Sequence, residues 1–348
     1  MYPLIDKLTK NHILSKEEFI NLITNRNSLI SEYLFSKARE VRECYYGKDI
    51  YIRGLIELTN YCKNDCYYCG IRKANKNVIR YRLTKSQVLD CCKEGYRLGF
   101  RTFVLQGGED PYYNDERMVD IVSSIKKNHP DCAITLSLGE KSYESYLKLY
   151  QAGADRYLLR HETANSIHYQ QLHPKKMSSD ERKRCLYDLK KIGYQVGSGF
   201  MVGSPLQTIE NLVEDLLFIA DLQPQMVGIG PFISHHETPF ADEEAGTLEL
   251  TLFMLAILRL MLPSALLPST TALGTIDKVG REHGILAGAN VVMPNLSPLN
   301  VREKYMIYDN KIATGLEASE YLPMLKLQME KIGYTIKVTR GDFIPIIK

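Results

Sequence analysis

Three of the eight cysteines in the chain, Cys62, Cys66 and Cys69, lie within eight residues at the spacing Cys-x3-Cys-x2-Cys. A structural zinc site takes four protein ligands, and the nearest histidines, His12 and His129, are far away in sequence. A 4Fe-4S cluster is held by cysteine thiolates, so three of them would leave one iron open to bind a small molecule. We therefore predict one 4Fe-4S cluster here. The alternatives are a zinc knuckle completed by a distant ligand, or cysteines without metal.

The composition is that of a chain able to bury a large core, with 45% hydrophobic residues and a formal net charge of +3 over 348 residues. A charge so close to neutral gives no general case for nucleic-acid binding. The cysteine pattern does not resemble a secreted disulfide framework, which favours a reducing cytoplasm. The most apolar run, 248–262, is interrupted by Glu249 and Arg259, and residues 1–10 lack a continuous apolar segment. We therefore expect no membrane span and no signal peptide.

The elements that must position the cysteines alternate regularly between helices and strands. Two helices are predicted within residues 15–46, where Ser15 and Glu18 form a capping-box pattern and Gly47 ends the second helix. After them one unit recurs, a capped helix, a glycine and a short apolar strand. Counting from Ile50 gives eight strands, at residues 50–58, 101–106, 133–138, 155–162, 195–202, 226–231, 266–271 and 290–293.

Eight strands alternating with helices over about 250 residues predict an α/β fold, a complete parallel (β/α)8 TIM barrel, rather than an open doubly wound sheet. No linker or low-complexity tract marks a second domain. We divide the chain into an N-terminal helical segment at 1–48, the barrel at 49–296 and a C-terminal extension at 297–348 that packs on the barrel.

Polar side chains are predicted to point into the barrel at the carboxyl ends of two strands, where active sites form in this fold. Alternation along residues 133–139 places the apolar residues on one face and Thr135 and Ser137 on the other. Arg160 and Glu162 share a face of the next strand, while His161 lies on the opposite face as a structural histidine. The guanidinium and carboxylate indicate a ligand-binding mouth, with an internal salt bridge as the alternative.

Two further features complete the predicted site. Residues 195–203 put three glycines and Met201 on one face, and residues 226–231 repeat the pattern, which predicts a hollowed interior that holds an organic ligand. Arg182 lies on the helix stripe expected to face the sheet, so it needs an anionic partner such as a substrate carboxylate, unless it extends to the surface. The turn at 106–109 follows the second strand and can present backbone groups to a ligand.

Together these segments resemble the radical S-adenosylmethionine (SAM) superfamily and, within it, the family of the FeFe-hydrogenase maturase HydE. The cysteine motif alone is typical of the superfamily, and five further segments carry the resemblance to this family over nearly the whole chain. They are Leu105-Gln106-Gly107-Gly108-Glu109-Asp110-Pro111-Tyr112-Tyr113, Thr135-Leu136-Ser137-Leu138-Gly139-Glu140, Arg160-His161-Glu162-Thr163-Ala164-Asn165, Val227-Gly228-Ile229-Gly230-Pro231-Phe232 and Thr270-Thr271-Ala272.

The resemblance implies that the open iron at Cys62, Cys66 and Cys69 binds the methionyl amine and carboxylate of SAM. One electron then cleaves SAM to methionine and a 5'-deoxyadenosyl radical. The remaining SAM contacts are implied to come from the strand ends: Gly107, Gly108 and Glu109 at the methionyl amine, Arg182 at its carboxylate, Glu162 at the ribose hydroxyls with Ser137 beside the same ligand, and Tyr68 and Met201 at the nucleoside.

A second ligand is implied deeper in the barrel, an organometallic iron species carrying carbonyl, cyanide and cysteine that is processed toward the diiron subcluster of hydrogenase. Its implied neighbours are Gln106, Thr135, Arg160, Thr270 and Thr271. Some members hold an accessory cluster with three C-terminal cysteines, where this chain has Ala313, Tyr321 and Met324, so one cluster is predicted. Val301 stands where some members have a tyrosine near the barrel mouth, which leaves the substrate contacts of the extension open.

The expected partners are the organometallic substrate or the maturase that donates it, other hydrogenase maturases, and an electron donor such as a flavodoxin or ferredoxin. A basic run beside the cysteines, with Asp65 the one acid nearby, predicts either a docking surface for an acidic donor or a solvated face. The run comprises Lys63, Arg72, Lys73, Lys76, Arg80 and Arg82.

Two other functions stay open. One is a related enzyme such as biotin synthase or methylornithine synthase. Biotin synthase needs further cysteines inside the barrel, whereas Cys91, Cys92 and Cys185 are predicted on helices and Cys132 faces outward. The other is an iron-sulfur carrier without chemistry of its own, which would have no need of the inward arginines and carboxylate.

Overall fold

The amino-terminal part of the chain forms three helices before the first strand. A computed structural model describes residues 1–312 and 316–345. The helices are α1 (Tyr2–Asn11), α2 (Lys16–Thr24) and α3 (Ser28–Tyr46). The capping box of Ser15 and Glu18 and the end of α3 at Gly47 are confirmed. The sequence did not predict α1, since only Ile5 and Leu8 of this short helix are buried and leave little apolar periodicity.

All pairings between the strands of the described residues are parallel. The central sheet has the order β2-β3-β4-β5-β6-β8, β1 pairs with β10 and β11, and β7 pairs with β9. Here the strands are β1 (Asp49–Ile52), β2 (Gly54–Thr59), β3 (Thr102–Gly107), β4 (Ala133–Ser137), β5 (Arg156–Leu158), β6 (Gln195–Ser198), β7 (Met201–Val202), β8 (Met226–Val227), β9 (Gly230–Pro231), β10 (Val291–Val292) and β11 (Thr335–Lys337).

Helices connect these strands and cover the sheet, which gives an α/β fold with a parallel sheet. They are α4 (Lys85–Arg97), α5 (Asp115–Asn128), α6 (Tyr143–Gln151), α7 (Ser166–Leu172), α8 (Ser179–Ile192), α9 (Ile209–Leu222), α10 (Leu248–Met261), α11 (Thr271–Ile276), α12 (Gly280–Leu286), α13 (Leu299–Arg302) and α14 (Ala318–Lys331). The apolar α10 is buried from Thr251 to Met261 and contacts α3. Within the described ranges, no helix has the length and apolar character needed to cross a membrane.

Isolated parallel bridges extend the pairing beyond the named strands. Met226 pairs with Leu266, Pro268 with Val291, and Leu55 with Asn295. The strand predicted at 266–271 is present only as such bridges, because Pro268 has no N–H to donate to a ladder and α11 begins at Thr271. The strand predicted at 195–202 is divided into β6 and β7, and the one predicted at 226–231 into β8 and β9.

The last part of the C-terminal extension, from Thr335 onward, packs against the amino ends of the strands. β11 pairs with β1, and the chain that follows it reaches the buried Arg156 at the start of β5. Arg156 Nη2 donates to Asp342 Oδ1 at 2.5 Å and to the backbone carbonyl of Arg340 at 3.0 Å. The opposite, carboxyl ends of the strands are left to the loops that carry the predicted site residues.

Candidate active site

Cys62, Cys66 and Cys69 lie in the loop that follows β2 at the carboxyl end of the sheet. All three are half-buried free thiols. Burial raises the pKa of each thiol, that of Cys69 to about 12, and neighbouring thiols add to the upward shift at Cys66 and Cys69. The three side chains therefore share one desolvated pocket, in which a bound cation would displace their protons.

Three arginines of the basic run form hydrogen bonds and ion pairs in and beside the cysteine loop. Arg72 donates to both carboxylate oxygens of Asp65, at 2.6 and 2.8 Å. Arg80 donates to four backbone carbonyls between residues 60 and 75. Arg82 lies 2.7 Å from Asp110, which the sequence did not place beside it. Protein acceptors therefore take up donors of these three arginines. Arg82 and the three lysines of the run are exposed, and a docking surface for an acidic electron donor stays a prediction.

The turn after β3 approaches the cysteine loop closely. A Cβ on Gly108 would lie 2.2 Å from the carbonyl oxygen of Tyr61 and 2.8 Å from Cys62 Cβ, so only glycine fits there. Gly107 lies against Thr59 in the same way, with 3.0 Å between its would-be Cβ and Thr59 Cγ2. The two glycines predicted to hold a ligand thus bring this turn within contact of the cysteines.

Arg182, in the first turn of α8, lies between two carboxylates of the protein. Its Nε is 3.0 Å from Glu140 Oε1 and its Nη1 is 3.9 Å from Glu109 Oε1. Lys63 Nζ lies 3.2 Å from the other oxygen of Glu109. Burial lowers the pKa of Arg182, but the nearby carboxylates raise it by a larger amount, so the net shift is upward. Arg182 is buried at the site, as one alternative predicted, and its anionic partners include Glu140, which the sequence did not single out.

Arg160 and Glu162 face one another at the end of β5. Arg160 Nη2 and Glu162 Oε2 are 3.0 Å apart, but they are not aligned as a hydrogen bond, and Arg160 Nε is buried without a partner. Glu162 has a φ of 66°, which is strained for a residue with a side chain. Its neighbour Phe200 pairs with it as a bridge. The two side chains form the ion pair that the sequence left as the alternative, and a ligand-binding mouth stays a prediction, since Arg160 Nε has no hydrogen-bond partner.

His161 points away from this pair into the core. Its Nδ1 lies 2.9 Å from Ser198 Oγ and its Nε2 lies 3.1 Å from Asp215 Oδ1, with all three side chains buried. Burial lowers the pKa of His161 to about 3, so the ring is neutral. The prediction of a structural histidine on the opposite face is confirmed.

An apolar wall stands beside the cysteine loop, made of Tyr68, Leu172, Met201 and Phe232. Tyr68 and Met201, the two predicted nucleoside contacts, therefore lie in one cluster. The predicted hollowing is wrong for the glycines of residues 195–203, whereas a Cβ on Gly228 would have only Pro268 Cγ within 4 Å, at 3.7 Å. A Cβ on Gly199 would lie 1.9 Å from the carbonyl oxygen of Gly228, and Gly197 and Gly203 are equally crowded, because these glycines let neighbouring segments pack closely.

The residues predicted to contact the second ligand lie at the same end of the sheet. Gln106 is in register with Ser137 on β4, and its Nε2 lies 3.4 Å from Tyr305 Oη. Thr135 Oγ1 and Thr270 Oγ1 are buried without a hydrogen-bond partner. Thr271 begins α11, and no hydrogen bond from its side chain occurs in the described part of the chain.

Two further residues, Glu57 and Lys311, lie beside these predicted substrate residues, and the sequence did not single them out. Lys311 Nζ donates to Glu57 Oε1 at 2.5 Å and to the carbonyl of Tyr305 at 2.9 Å, and Asn295 Nδ2 donates to Glu57 Oε2 at 2.9 Å. Glu57 is in register with Gln106, which places the pair beside the predicted substrate residues. A charged residue inside the strand at 50–58 was the one available signal.

His235, His236 and Asp309 form a second cluster of ligating groups, next to Gly70 of the cysteine loop. His236 Nδ1 lies 2.7 Å from Asp309 Oδ1, and the two imidazole rings are stacked with centroids 4.5 Å apart. His235 Nδ1 accepts the backbone N–H of Glu237, which leaves the proton on Nε2. Through the contact with Asp309, the two histidines link the chain after β9 to the segment after α13.

The residues present fit a cluster with a SAM molecule beside it. Three thiols share a desolvated pocket, and several buried polar atoms near this end of the sheet form no hydrogen bond: Arg160 Nε, Arg160 Nη2, Glu162 Oε2, Arg182 Nε, Thr135 Oγ1 and Thr270 Oγ1. Unpaired buried polar atoms are costly unless a ligand or water satisfies them. An apolar wall with a tyrosine beside charged groups suits a nucleoside attached to an amino acid.

Comparison with known proteins agrees with this geometry. Residues 56–219 match the model of the radical SAM superfamily. The HydE subunit of the FeFe-hydrogenase maturase from Thermotoga maritima is 43% identical over 330 residues, covering 95% of this chain and 94% of that protein. The 3-methylornithine synthase of Methanosarcina acetivorans is 30% identical over 309 residues, or 88% and 87% of the two chains. The crystal structure of methylornithine synthase (PylB) has a TM-score of 0.84 at 28% identity, over 96% of this chain and 97% of that one.

Proposed function

This chain belongs to the radical SAM superfamily and, within it, to the family of the FeFe-hydrogenase maturase HydE, and from that premise we propose what each part of its site does. The chain is a radical SAM enzyme. A cluster bound at Cys62, Cys66 and Cys69 supplies the electron that breaks SAM into methionine and a 5'-deoxyadenosyl radical.

The observation that carries the assignment of residues is the set of unpaired buried polar atoms around the cysteine loop. Glu162, whose Oε2 is ion-paired with Arg160 but accepts no hydrogen bond, binds the ribose hydroxyls, and Arg182 binds the methionyl carboxylate from between Glu140 and Glu109. The other SAM contacts are Gly107, Gly108 and Glu109 at the methionyl amine, Ser137 beside the same ligand, and Tyr68 and Met201 at the nucleoside. Their support is the shared apolar wall and the contact of the glycine turn with Cys62.

The substrate is an organometallic iron species on the way to the diiron subsite of hydrogenase, received from a donor maturase. Gln106, Thr135, Arg160, Thr270 and Thr271 bind it. The support is that Arg160, Thr135 and Thr270 keep buried polar atoms without protein partners. Other hydrogenase maturases are the expected protein partners, and a flavodoxin or ferredoxin supplies electrons.

One 4Fe-4S cluster is proposed for the whole chain. Of the positions where some family members have accessory-cluster cysteines, Tyr321 contacts Arg281 and Met324 is exposed, while Ala313 lies outside the described residues. The free thiols support a cytoplasmic enzyme.

The barrel is proposed to be complete. The bridges at Leu266, Pro268 and Asn295 support this, because they link β8 to β10 and β10 to β2. The same organisation supports a helical segment at 1–48, a barrel at 49–296 and an extension at 297–348, whose described residues contact the active-site end through Tyr305 and Lys311 and the amino ends through Asp342.

Methylornithine synthase chemistry is the second candidate, since such an enzyme is 30% identical to this chain. A reconstituted maturation assay separates the two. The protein, reconstituted anaerobically, should support activation of apo-hydrogenase together with the other maturases. Intact SAM cleavage without any hydrogenase activation would move the assignment to the second candidate. An iron-sulfur carrier would bind iron without cleaving SAM.

A further inference from the structure

The buried histidine that follows α7, His173, contacts the tyrosine between the second and third cysteines of the loop. Tyr68 Oη lies 3.1 Å from His173 Nε2, and the two rings meet edge to face with centroids 5.3 Å apart. His173 has no exposed surface. It belongs to none of the residue groups assigned above, and it touches the loop at a side chain that the proposed function puts against the nucleoside.

The proton positions of this contact follow from its partners. His173 Nδ1 lies 2.9 Å from the backbone carbonyl of Tyr169. A carbonyl only accepts, so Nδ1 carries the proton and donates it. Burial lowers the pKa of His173 to about 3, so the ring is neutral around pH 7. Nε2 is then an acceptor, and the hydroxyl of Tyr68 donates to it.

His173 is itself held in a fixed orientation. Its ring stacks on Tyr169 with centroids 4.0 Å apart and an angle of 22° between the planes. The carbonyl of the preceding residue, Leu172, accepts the backbone N–H of Tyr67 at 3.0 Å. The end of α7 therefore holds two successive residues of the cysteine loop, Tyr67 through the backbone and Tyr68 through the side chain.

We propose that His173 is a positioning residue, which sets the rotation of the Tyr68 ring against the nucleoside of SAM. The inference rests on the proposed function, which brings the nucleoside to Tyr68. Apolar neighbours pack against the ring of Tyr68, and its hydroxyl reaches two groups among the described residues, the imidazole of His173 and the thiol of Cys66. Without the imidazole, the weakly accepting thiol of Cys66 is left to this buried hydroxyl, and the ring rotates out of the orientation that His173 sets.

Four variants test the proposal in the reconstituted full-length protein under dithionite: His173→Leu, Tyr68→Phe, the double variant, and His173→Gln, whose amide can still accept from Tyr68 and donate to Tyr169. Tyr194→Phe is the matched control. It removes a buried hydroxyl that donates to the carbonyl of Tyr146 at 2.8 Å, near the amino end of β6. The measurements are iron content, KM for SAM, the rate of 5'-deoxyadenosine formation at saturating SAM, and inhibition by 5'-methylthioadenosine and by methionine.

The expected result is a KM for SAM raised about five- to tenfold by His173→Leu, as the loss of one hydrogen bond predicts, with the saturated rate within about twofold. Inhibition by 5'-methylthioadenosine should weaken by the same factor and inhibition by methionine should not change. The double variant should be no worse than His173→Leu, because both changes break one contact. His173→Gln should recover most of the affinity, and Tyr194→Phe should keep the wild-type KM.

Three results would overturn the proposal: an unchanged KM in His173→Leu, additive effects in the double variant, or equal weakening of both inhibitors. If His173→Leu fails to fold or loses its iron, His173→Gln and Tyr68→Phe decide, and a wild-type KM in Tyr68→Phe then rejects the contact. A wild-type protein that does not cleave SAM at all would instead reject the proposed function.

Discussion

Glu57 Oε1 lies 2.5 Å from Lys311 Nζ, in a buried ion pair between residues 254 positions apart in the chain. The Glu57 side chain has no exposed surface and that of Lys311 is 7% exposed. Lys311 also donates to the carbonyl of Tyr305, whose hydroxyl lies 3.4 Å from Gln106 Nε2. The segment after α13 is therefore part of the wall of the active site, attached to β2 at its centre.

Replacement of Lys311 by methionine should destabilise the protein strongly. The change leaves the carboxylate of Glu57 buried without its cation, which typically costs about 3 to 5 kcal/mol. Urea unfolding of the cluster-free protein measures the effect. Lys326→Met, at an exposed position of α14, is the matched control and should stay within about 0.5 kcal/mol of wild type. The double variant Glu57→Gln/Lys311→Met should recover part of the loss, and equal instability of Lys326→Met would contradict the account.

Alanine at Gly139 should weaken SAM binding as well as stability. Gly139 has a φ of 74°, and a Cβ there would lie 2.0 Å from Glu109 Cγ, so Glu109 must move away from Arg182 and Lys63. Gly333→Ala is the control, since its φ of 83° is similarly strained but nothing lies within 4 Å of the new Cβ. Both should lose about 1 to 2 kcal/mol of stability. A raised KM for SAM is expected in Gly139→Ala alone. A KM in Gly139→Ala equal to that in Gly333→Ala would refute the role of Glu109.

The sequence was sufficient for features that depend on local pattern. The capping residues predicted the starts of helices such as α2, α4 and α8, and the cysteine spacing indicated the superfamily that residues 56–219 match. The sequence was a poorer guide to short strands. The pattern of residues 266–271 predicts a strand. Pro268 has no N–H to donate to a neighbouring strand and Thr271 starts a helix, so only single bridges form.

Contacts between distant segments were beyond the sequence. The sequence could not show which partners Arg80 and Arg82 contact, because their acceptors, Asp110 and the carbonyls that Arg80 contacts, come together only in the folded loop. The glycines of 195–203 indicated empty space in the sequence because the residues that pack against them, such as Gly228 and Gly246, lie elsewhere in the chain. Glu140 and Lys311 were missed for the same reason.

Stability in acid should depend on Asp342. Burial raises the pKa of this carboxyl, but hydrogen bonding to Arg340 and the attraction of Arg156 lower it more, to about 2. The unfolded value is about 3.9, so the pair stabilises the fold fully above about pH 4, and this contribution is lost as the pH falls toward 2. Asp342→Asn should therefore be less stable at pH 7 and lose less stability between pH 4 and 2.

Urea unfolding across this pH range is the measurement for Asp342, and Asp90→Asn, at an exposed position of α4, is the control. Asp90→Asn should follow the wild-type pH dependence. An Asp342→Asn curve parallel to wild type down to pH 2 would show that this carboxyl does not carry the acid sensitivity.

Iron content should report a single cluster. The reconstituted protein is expected to bind about four irons per chain, the content of one 4Fe-4S cluster. Cys66→Ser should lose most of this iron, whereas Cys185→Ser, on α8 outside the loop, should retain it. Roughly eight irons per chain, or an iron loss in Cys185→Ser equal to that in Cys66→Ser, would argue for a second cluster or a different ligand set.

The most direct test is SAM cleavage by the anaerobically reconstituted protein reduced with dithionite, followed by chromatography of the products. We predict 5'-deoxyadenosine, or an adenosylated product, and methionine, formed in proportion to the cluster content and abolished in the Cys62→Ser/Cys66→Ser/Cys69→Ser variant. A fully loaded, reduced protein that leaves SAM intact would contradict it.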